Sequence, residues 1–168
     1  MRVLVIGGTG FIGSRIVRQL AGQGHEVAVF HRKNCNSILP CGVREFLHPD
    51  STKALESFPK EILNFEPQVV IHTFAMSEAD AEKAVRAFAG RASRVVVLSS
   101  GDVYREYGRF IGVEAGPIDN ELLSEDSPLR TTLYPYRHRA ASDDAMEYWY
   151  EKILVERVVL SSPDLPAT

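Results

Sequence analysis

The opening residues, MRVLVIGGTGFIG, constrain the fold more than any other stretch of the chain. Val3, Leu4, Val5 and Ile6 form an apolar run that stops at a cluster of glycines, and an amphipathic segment starts at Phe11. The pattern reads as strand, tight turn, helix. Gly7, Gly10 and Gly13, with Gly8 added, fit both common spacings of a dinucleotide-binding turn. Glycine is required because the chain reverses within a few residues, in places with positive φ. The backbone must also approach a pyrophosphate with no side chain between, while the first helical turn packs on the strand and directs its free N–H groups at the phosphates. The predicted cofactor contacts are Gly7, Gly8, Thr9, Gly10, Phe11, Ile12 and Gly13. The helix is expected to turn Ile12, Ile16, Val17 and Leu20 inward.

Strands and helices alternate through the following residues, which predicts an α/β fold: a three-layer, doubly wound parallel sheet. Further strands are expected at His25–Phe30, Val43–Leu47, Gln68–Phe74 and Arg94–Leu98, with a helix around Thr52–Phe58 that Pro59 interrupts. Ser77 is positioned to cap another helix, with Glu78 and Asp80 in its first turn and Ala81, Ala84, Val85 and Phe88 facing inward. From Arg105 to Ala145 the rhythm lapses into Gly, Pro and charge. Such an insertion is either a binding loop or lid, or mobile surface. A last helix is expected from Asp143–Asp144 to about Leu160, followed by a connector.

The 168 residues suit one domain, and an apolar fraction of 45% with 24% charge is that of a soluble globular protein. A net charge of −3 argues against nucleic acid or an anionic membrane as partner. No apolar run approaches the ~20 residues of a membrane span. The first residues lack the marks of a signal peptide, and Cys35 and Cys41 lack metal-site spacing. A cytoplasmic protein with reduced thiols and no metal is expected.

Two groups of residues carry chemistry. Tyr148 and Lys152 stand four apart, on one face of the expected last helix. A phenol ordinarily ionises near pH ~10; a neighbouring ammonium and an oxidised nicotinamide ring favour its phenolate and bring it within range of acid–base work. The alternative is that Tyr148 packs and Lys152 snorkels. Trp149 and Tyr150 are set aside, since neither has a lysine four positions later. Ser99 and Ser100 end the expected fifth strand, where ligands bind in a doubly wound sheet; a serine there either holds a reacting oxygen or serves the turn. His72 ends the fourth strand and reads as a satisfied core histidine.

The segments GGTGFIG at 7–13, VVIHTFA at 69–75, VVVLSSGDVY at 95–104 and YWYEKILVE at 148–156 occur in the order found in the extended short-chain dehydrogenase/reductases, the NAD-dependent epimerase/dehydratase group, which the chain resembles. The resemblance implies an NAD(P)-binding Rossmann domain over residues 1–168. It also implies hydride transfer at a hydroxyl or carbonyl carbon of a small molecule, such as a sugar or nucleotide sugar. By the same resemblance Ser100 is the catalytic hydroxyl, Tyr148 the catalytic tyrosine, and Lys152 the lysine that holds the nicotinamide ribose and lowers the tyrosine pKa. The segment from His72 through Phe74 and Ala75 would line the cofactor cleft. Where family members carry an acid for the ribose 2′-hydroxyl, Phe30 is followed by His31, Arg32 and Lys33; positive charge suits a 2′-phosphate, which favours NADP over NAD. Gly101-Asp102 stands where the dehydratases carry Asp-Glu, and the gap from Ser100 to Tyr148 is longer than usual for the family. Family members look about twice as long, so the C-terminal substrate region is expected to be largely absent. The open alternative is a dinucleotide-binding module without turnover. A homodimer stays open too, with the helix bearing Trp149 as its face.

Overall fold

The computed structural model describes residues 1–32, 38–48, 55–118 and 121–168. Lys33, Cys35 and the start of the helix expected at Thr52 lie outside them. A single parallel sheet forms the centre, with strands β1 (Arg2–Ile6), β2 (Glu26–His31), β3 (Arg44–Leu47), β4 (Val69–His72) and β5 (Arg94–Val97) in the order β3-β2-β1-β4-β5. This is the predicted α/β class. Strand order reverses between β1 and β4, so the loops after these two strands diverge and leave a crevice at their carboxyl ends.

Period-two alternation in the strands divides the core into two layers. Leu4 and Ile6 of β1 face one side of the sheet with Ala28, Phe30, Val70 and Val95. That side is covered by α3 (Glu78–Phe88) and α6 (Lys152–Leu160), through Ala81, Ala84, Phe88, Val155 and Val159. Val3, Val5, Val27 and Val29 face the other side, against α1 (Phe11–Gly22). Within α1, Ile16, Val17 and Leu20 pack inward as expected, whereas Ile12 is half exposed. The first turn of the helix projects beyond the strand ends, so its apolar residues border the crevice instead of the core.

Ser77 caps α3 as predicted. Its hydroxyl accepts from the Asp80 N–H while the Asp80 carboxylate accepts from the Ser77 N–H, a reciprocal capping box. The second helix differs from expectation. Leu55–Phe58 is not helical, and α2 runs Lys60–Asn64 directly after Pro59. Proline has no N–H to lose before a first turn and its fixed φ suits a helix start, so Pro59 opens this helix instead of interrupting one. Residues 166–168 extend beside β5: Val95 N–H donates to Pro166 O, and Val97 N–H to Thr168 O.

The stretch after β5 folds back onto the domain. A single 3₁₀ turn (Gly101–Val103) leads into α4 (Arg105–Phe110), and a second 3₁₀ turn (Arg137–Arg139) precedes α5 (Met146–Trp149). The continuous last helix expected from 143–144 to 160 is two helices. Between them Tyr150 (ψ 119°) and Glu151 (φ −160°, ψ 98°) are extended.

Candidate functional site

Gly7 closes β1 at φ +80°, and its N–H donates to Phe30 O at 2.9 Å. A β-carbon on it would lie 2.5 Å from Thr73 Oγ1 and 3.3 Å from the Phe74 β-carbon. The turn therefore presses against the segment that follows β4. Gly13 is tighter: a β-carbon there would stand 2.3 Å from Gly7 O and 2.8 Å from the Gly8 α-carbon. Helix and turn approach each other as closely as backbones allow. Gly10 caps α1 without a side-chain hydrogen bond, and the first turn carries no acidic residue. Its N–H groups and the positive end of the dipole face the crevice, so these residues fit a pyrophosphate. Phe11 and Gly10 are exposed, while Gly8 is buried and Thr9 half-buried.

On the β4 side of the crevice, Phe74 is exposed and Ala75 buried. The Arg32 guanidinium, at the end of β2, lies 5.3 Å from the Phe74 ring centroid. His31 is committed to the protein: Nε2 meets Glu45 Oε1 at 2.7 Å and Nδ1 meets Arg32 O at 2.6 Å. Of the basic run expected beside the adenosine ribose, Arg32 alone among the described residues projects as an exposed cation.

Lys152 opens α6 and is almost fully buried. Its Nζ donates to Ala75 O at 2.7 Å and Leu98 O at 2.9 Å, joining the chain ends that leave β4 and β5. An ammonium has three protons, so one donor is left for a further acceptor. Burial lowers its pKa, while Asp102, Asp80 and Glu156 oppose that shift. Ser100 is half-buried at the end of β5, where its hydroxyl accepts from the Asp102 N–H at 3.4 Å.

The three residues expected to act together do not all converge. The break between α5 and α6 removes the shared helical face on which Tyr148 and Lys152 were expected. The Tyr148 ring lies 4.5 Å from the Arg137 guanidinium, which also covers Tyr134 at 3.7 Å, and it meets the Trp149 ring edge-on at 5.0 Å. Tyr150 faces Ser100 and Asp102 instead, with its ring centroid 6.0 Å from Lys152 Nζ.

Sequence reasoning missed the group that makes this corner. Arg130 and Glu151, both side chains fully buried, form a bidentate pair at 2.6 and 2.9 Å. Arg130 also donates to Asp102 O at 2.8 Å, and the Glu151 carboxylate accepts from the Tyr134 and Ile153 N–H groups. Glu151 N–H in turn donates to Met76 O at 2.9 Å. Tyr136 donates to Asp102 Oδ2 at 3.1 Å and packs at a tilt of 55° on Tyr150 with centroids 5.3 Å apart. Asp102 Oδ1 is buried with no hydrogen-bond partner. No local pattern announces a pair 21 residues apart.

His72 is a satisfied core histidine, as expected. Its Nδ1 accepts from the Phe74 N–H at 3.3 Å, and burial lowers its pKa from 6.5 to about 4, against Asp80 and with help from Lys152. Protons therefore bind the unfolded chain before the folded one. Stability should fall by up to about 3 kcal/mol as pH drops from 6.5 to about 4, with no contribution above that window. Urea unfolding at intervals of pH should show this slope between pH 5 and 6.5. His72→Asn, which keeps an acceptor for Phe74, should flatten it; equal slopes in the two proteins would remove His72 as its source.

Among the described residues no helix is long and apolar enough to cross a membrane, and no group of three or more His, Cys, Asp or Glu could hold a metal. The sequence profile of the NAD dependent epimerase/dehydratase family matches residues 3–160. The chain is similar to 2′-dehydrokanamycin reductase of Streptomyces kanamyceticus, with 32% identity over 163 residues, 95% of this chain and 38% of that protein. It resembles in fold the Bordetella bronchiseptica enzyme WbmG, solved in complex with NAD and UDP (TM-score 0.66, 18% identity, 99% of this chain and 51% of that one). It also resembles vestitone reductase from alfalfa, Medicago sativa (TM-score 0.60, 23% identity, 95% and 51%). The chain thus spans about half the length of these solved relatives and 38% of the curated one. With the glycine turn, the strand-end serine and the helix-opening lysine all inside a match that covers almost every residue, the chain belongs to the NAD dependent epimerase/dehydratase family.

Proposed function

We propose that this chain binds NAD(P) across the glycine turn and serves reversible hydride transfer at a hydroxyl or carbonyl carbon of a sugar-like small molecule. The observation that carries the reading is the bridge made by Lys152. Gly7 presses on Phe74, the next residue is Ala75, and Lys152 Nζ holds the Ala75 carbonyl and that of Leu98. One cation thus ties the phosphate-binding turn to the strand end that carries Ser100. NAD(P) supplies or accepts the hydride when bound, and the protein's part is to hold, orient and manage the proton. Ser100 would position the reacting oxygen, and the remaining Lys152 proton would hold a ribose hydroxyl. Spacing along the chain alone would give the proton shuttle to Tyr148, which here lies against Arg137 and Trp149.

A sugar-like substrate, a nucleotide sugar among the candidates, is favoured by the company the fold keeps: one relative is named for reducing 2′-dehydrokanamycin, and WbmG was solved with UDP. Reduction is the direction the reductase supports. The chain covers 38% of that protein, so we propose residues 1–168 as the NAD(P)-binding domain, with most of the substrate contacts not among them.

Fluorescence titration with NADPH and NADH tests this reading, and no binding of either would reject it. Arg32, set at the end of β2 beside Phe74, favours a 2′-phosphate. NADPH is expected to bind more tightly than NADH. Arg32→Ala should weaken NADPH about tenfold, roughly the ~1.4 kcal/mol of one charged contact, and leave NADH nearly unchanged. Equal affinities in the wild-type protein would dismiss the part given to that charge.

A further inference from the structure

We propose that Tyr150, and not Tyr148, is the phenol that exchanges the substrate proton, working from the corner between α5 and α6 with Ser100 and Lys152 beside it. The inference deepens the oxidoreductase reading and rests on it.

The backbone explains why the relevant spacing is two and not four. On a continuous helix, residues four apart share a face. Here the residues before Lys152 are extended, and in extended chain it is residues two apart that share a side. Tyr150 and Lys152 therefore fall together, while Glu151 between them points the opposite way, into Arg130. Tyr148 lies beyond the break, against Arg137 and Trp149.

The surroundings of Tyr150 suit a proton donor. Ser100 and Asp102 face its phenol, Lys152 Nζ lies 6.0 Å from its ring centroid, and the Tyr136 ring packs on its own. Burial raises its pKa; Ser100 and Arg130 oppose that rise and Asp102 adds to it, so the group is protonated at neutral pH. In the reducing direction the carbonyl carbon receives a hydride from the reduced nicotinamide, the carbonyl oxygen takes the Tyr150 proton, and the phenolate regains a proton from solvent. The alcohol and the oxidised cofactor leave, and charge and electrons balance.

The test reads the phenol directly and needs no substrate. The full chain is produced with 3-fluorotyrosine, whose phenols ionise at lower pH, and its ¹⁹F resonances are assigned with Tyr148→Phe and Tyr150→Phe. The pH is then titrated with and without NAD⁺ and NADP⁺. Cofactor binding is followed separately by NADH and NADPH fluorescence. Oxidised cofactor should make Tyr150 at least tenfold more acidic, leave Tyr148 unmoved, and lose most of that effect in Lys152→Met. The Tyr150 response should persist in Tyr148→Phe. If cofactor binds and Tyr148 carries the shift, or Tyr150 does not respond, the inference is overturned while the oxidoreductase reading stands. If neither cofactor binds, that reading fails and the inference falls with it. Tyr150→Phe keeps the ring on Tyr136, and its circular dichroism checks that the variant is folded.

Discussion

Glu151→Gln should lower the unfolding free energy by about 3–5 kcal/mol, the usual cost of leaving one member of a buried ion pair without its partner. The substitution keeps the shape of the side chain and removes only the charge. Arg130 would then hold an uncompensated cation in a site where both side chains are fully excluded from water. The Tyr134 and Ile153 N–H groups would share a weaker acceptor. Urea unfolding followed by far-UV circular dichroism measures the loss, and a change below about 1 kcal/mol would mean that the pair does not hold the corner. Arg130→Met should cost a similar amount. The double variant Arg130→Met, Glu151→Leu should cost less than the sum of the two, since apolar replacement of a buried pair is often close to neutral. Recovery should stay incomplete, because Asp102 O loses a donor and Tyr134 N–H an acceptor.

The second large effect is expected at the turn. Gly13→Ala puts a carbon within 2.3 Å of Gly7 O and 2.8 Å of the Gly8 α-carbon. Both neighbours are backbone, so relief requires the turn to open, which spoils the phosphate cradle. Cofactor affinity should fall about a hundredfold, some 3 kcal/mol, measured by NADPH fluorescence. Gly22→Ala is the internal control on the same helix: nothing lies within 4 Å of its β-carbon position. That change should leave binding intact and raise stability by about 0.4–1 kcal/mol through the unfolded chain. Equal binding by the two variants would show that the close approach at Gly13 plays no part in holding the cofactor.

The elements read correctly from sequence are those whose cause is local. Val3 through Ile6 are apolar at every position, β-branched at three of four, and end at once in glycines, which marks a short buried strand. The glycines allow a turn that other residues cannot make, and Ser77 with Asp80 satisfies its own helix start. The second helix was misplaced because a proline opens a helix as readily as it ends one, and only packing decides between the two. Ile12 looked like core because periodicity cannot say how far a helix overhangs its sheet.

The site divides along the same line. By itself the sequence determined the parallel sheet, the glycine turn after its first strand and Ser100 at a strand end, because near neighbours along the chain dictate each; that Lys152 opens a helix instead of lying within one came from the tertiary structure. Tertiary structure alone decided which tyrosine stands beside them. Arg130 arrives from a loop 21 residues before Glu151 and draws its carboxylate into the interior, and the helix breaks there. Residues then share a side at a spacing of two, and Tyr150 replaces Tyr148 at the corner. Periodicity sees only bonds made within a few residues, so a break that coincides with an ion pair to a distant residue is invisible to it.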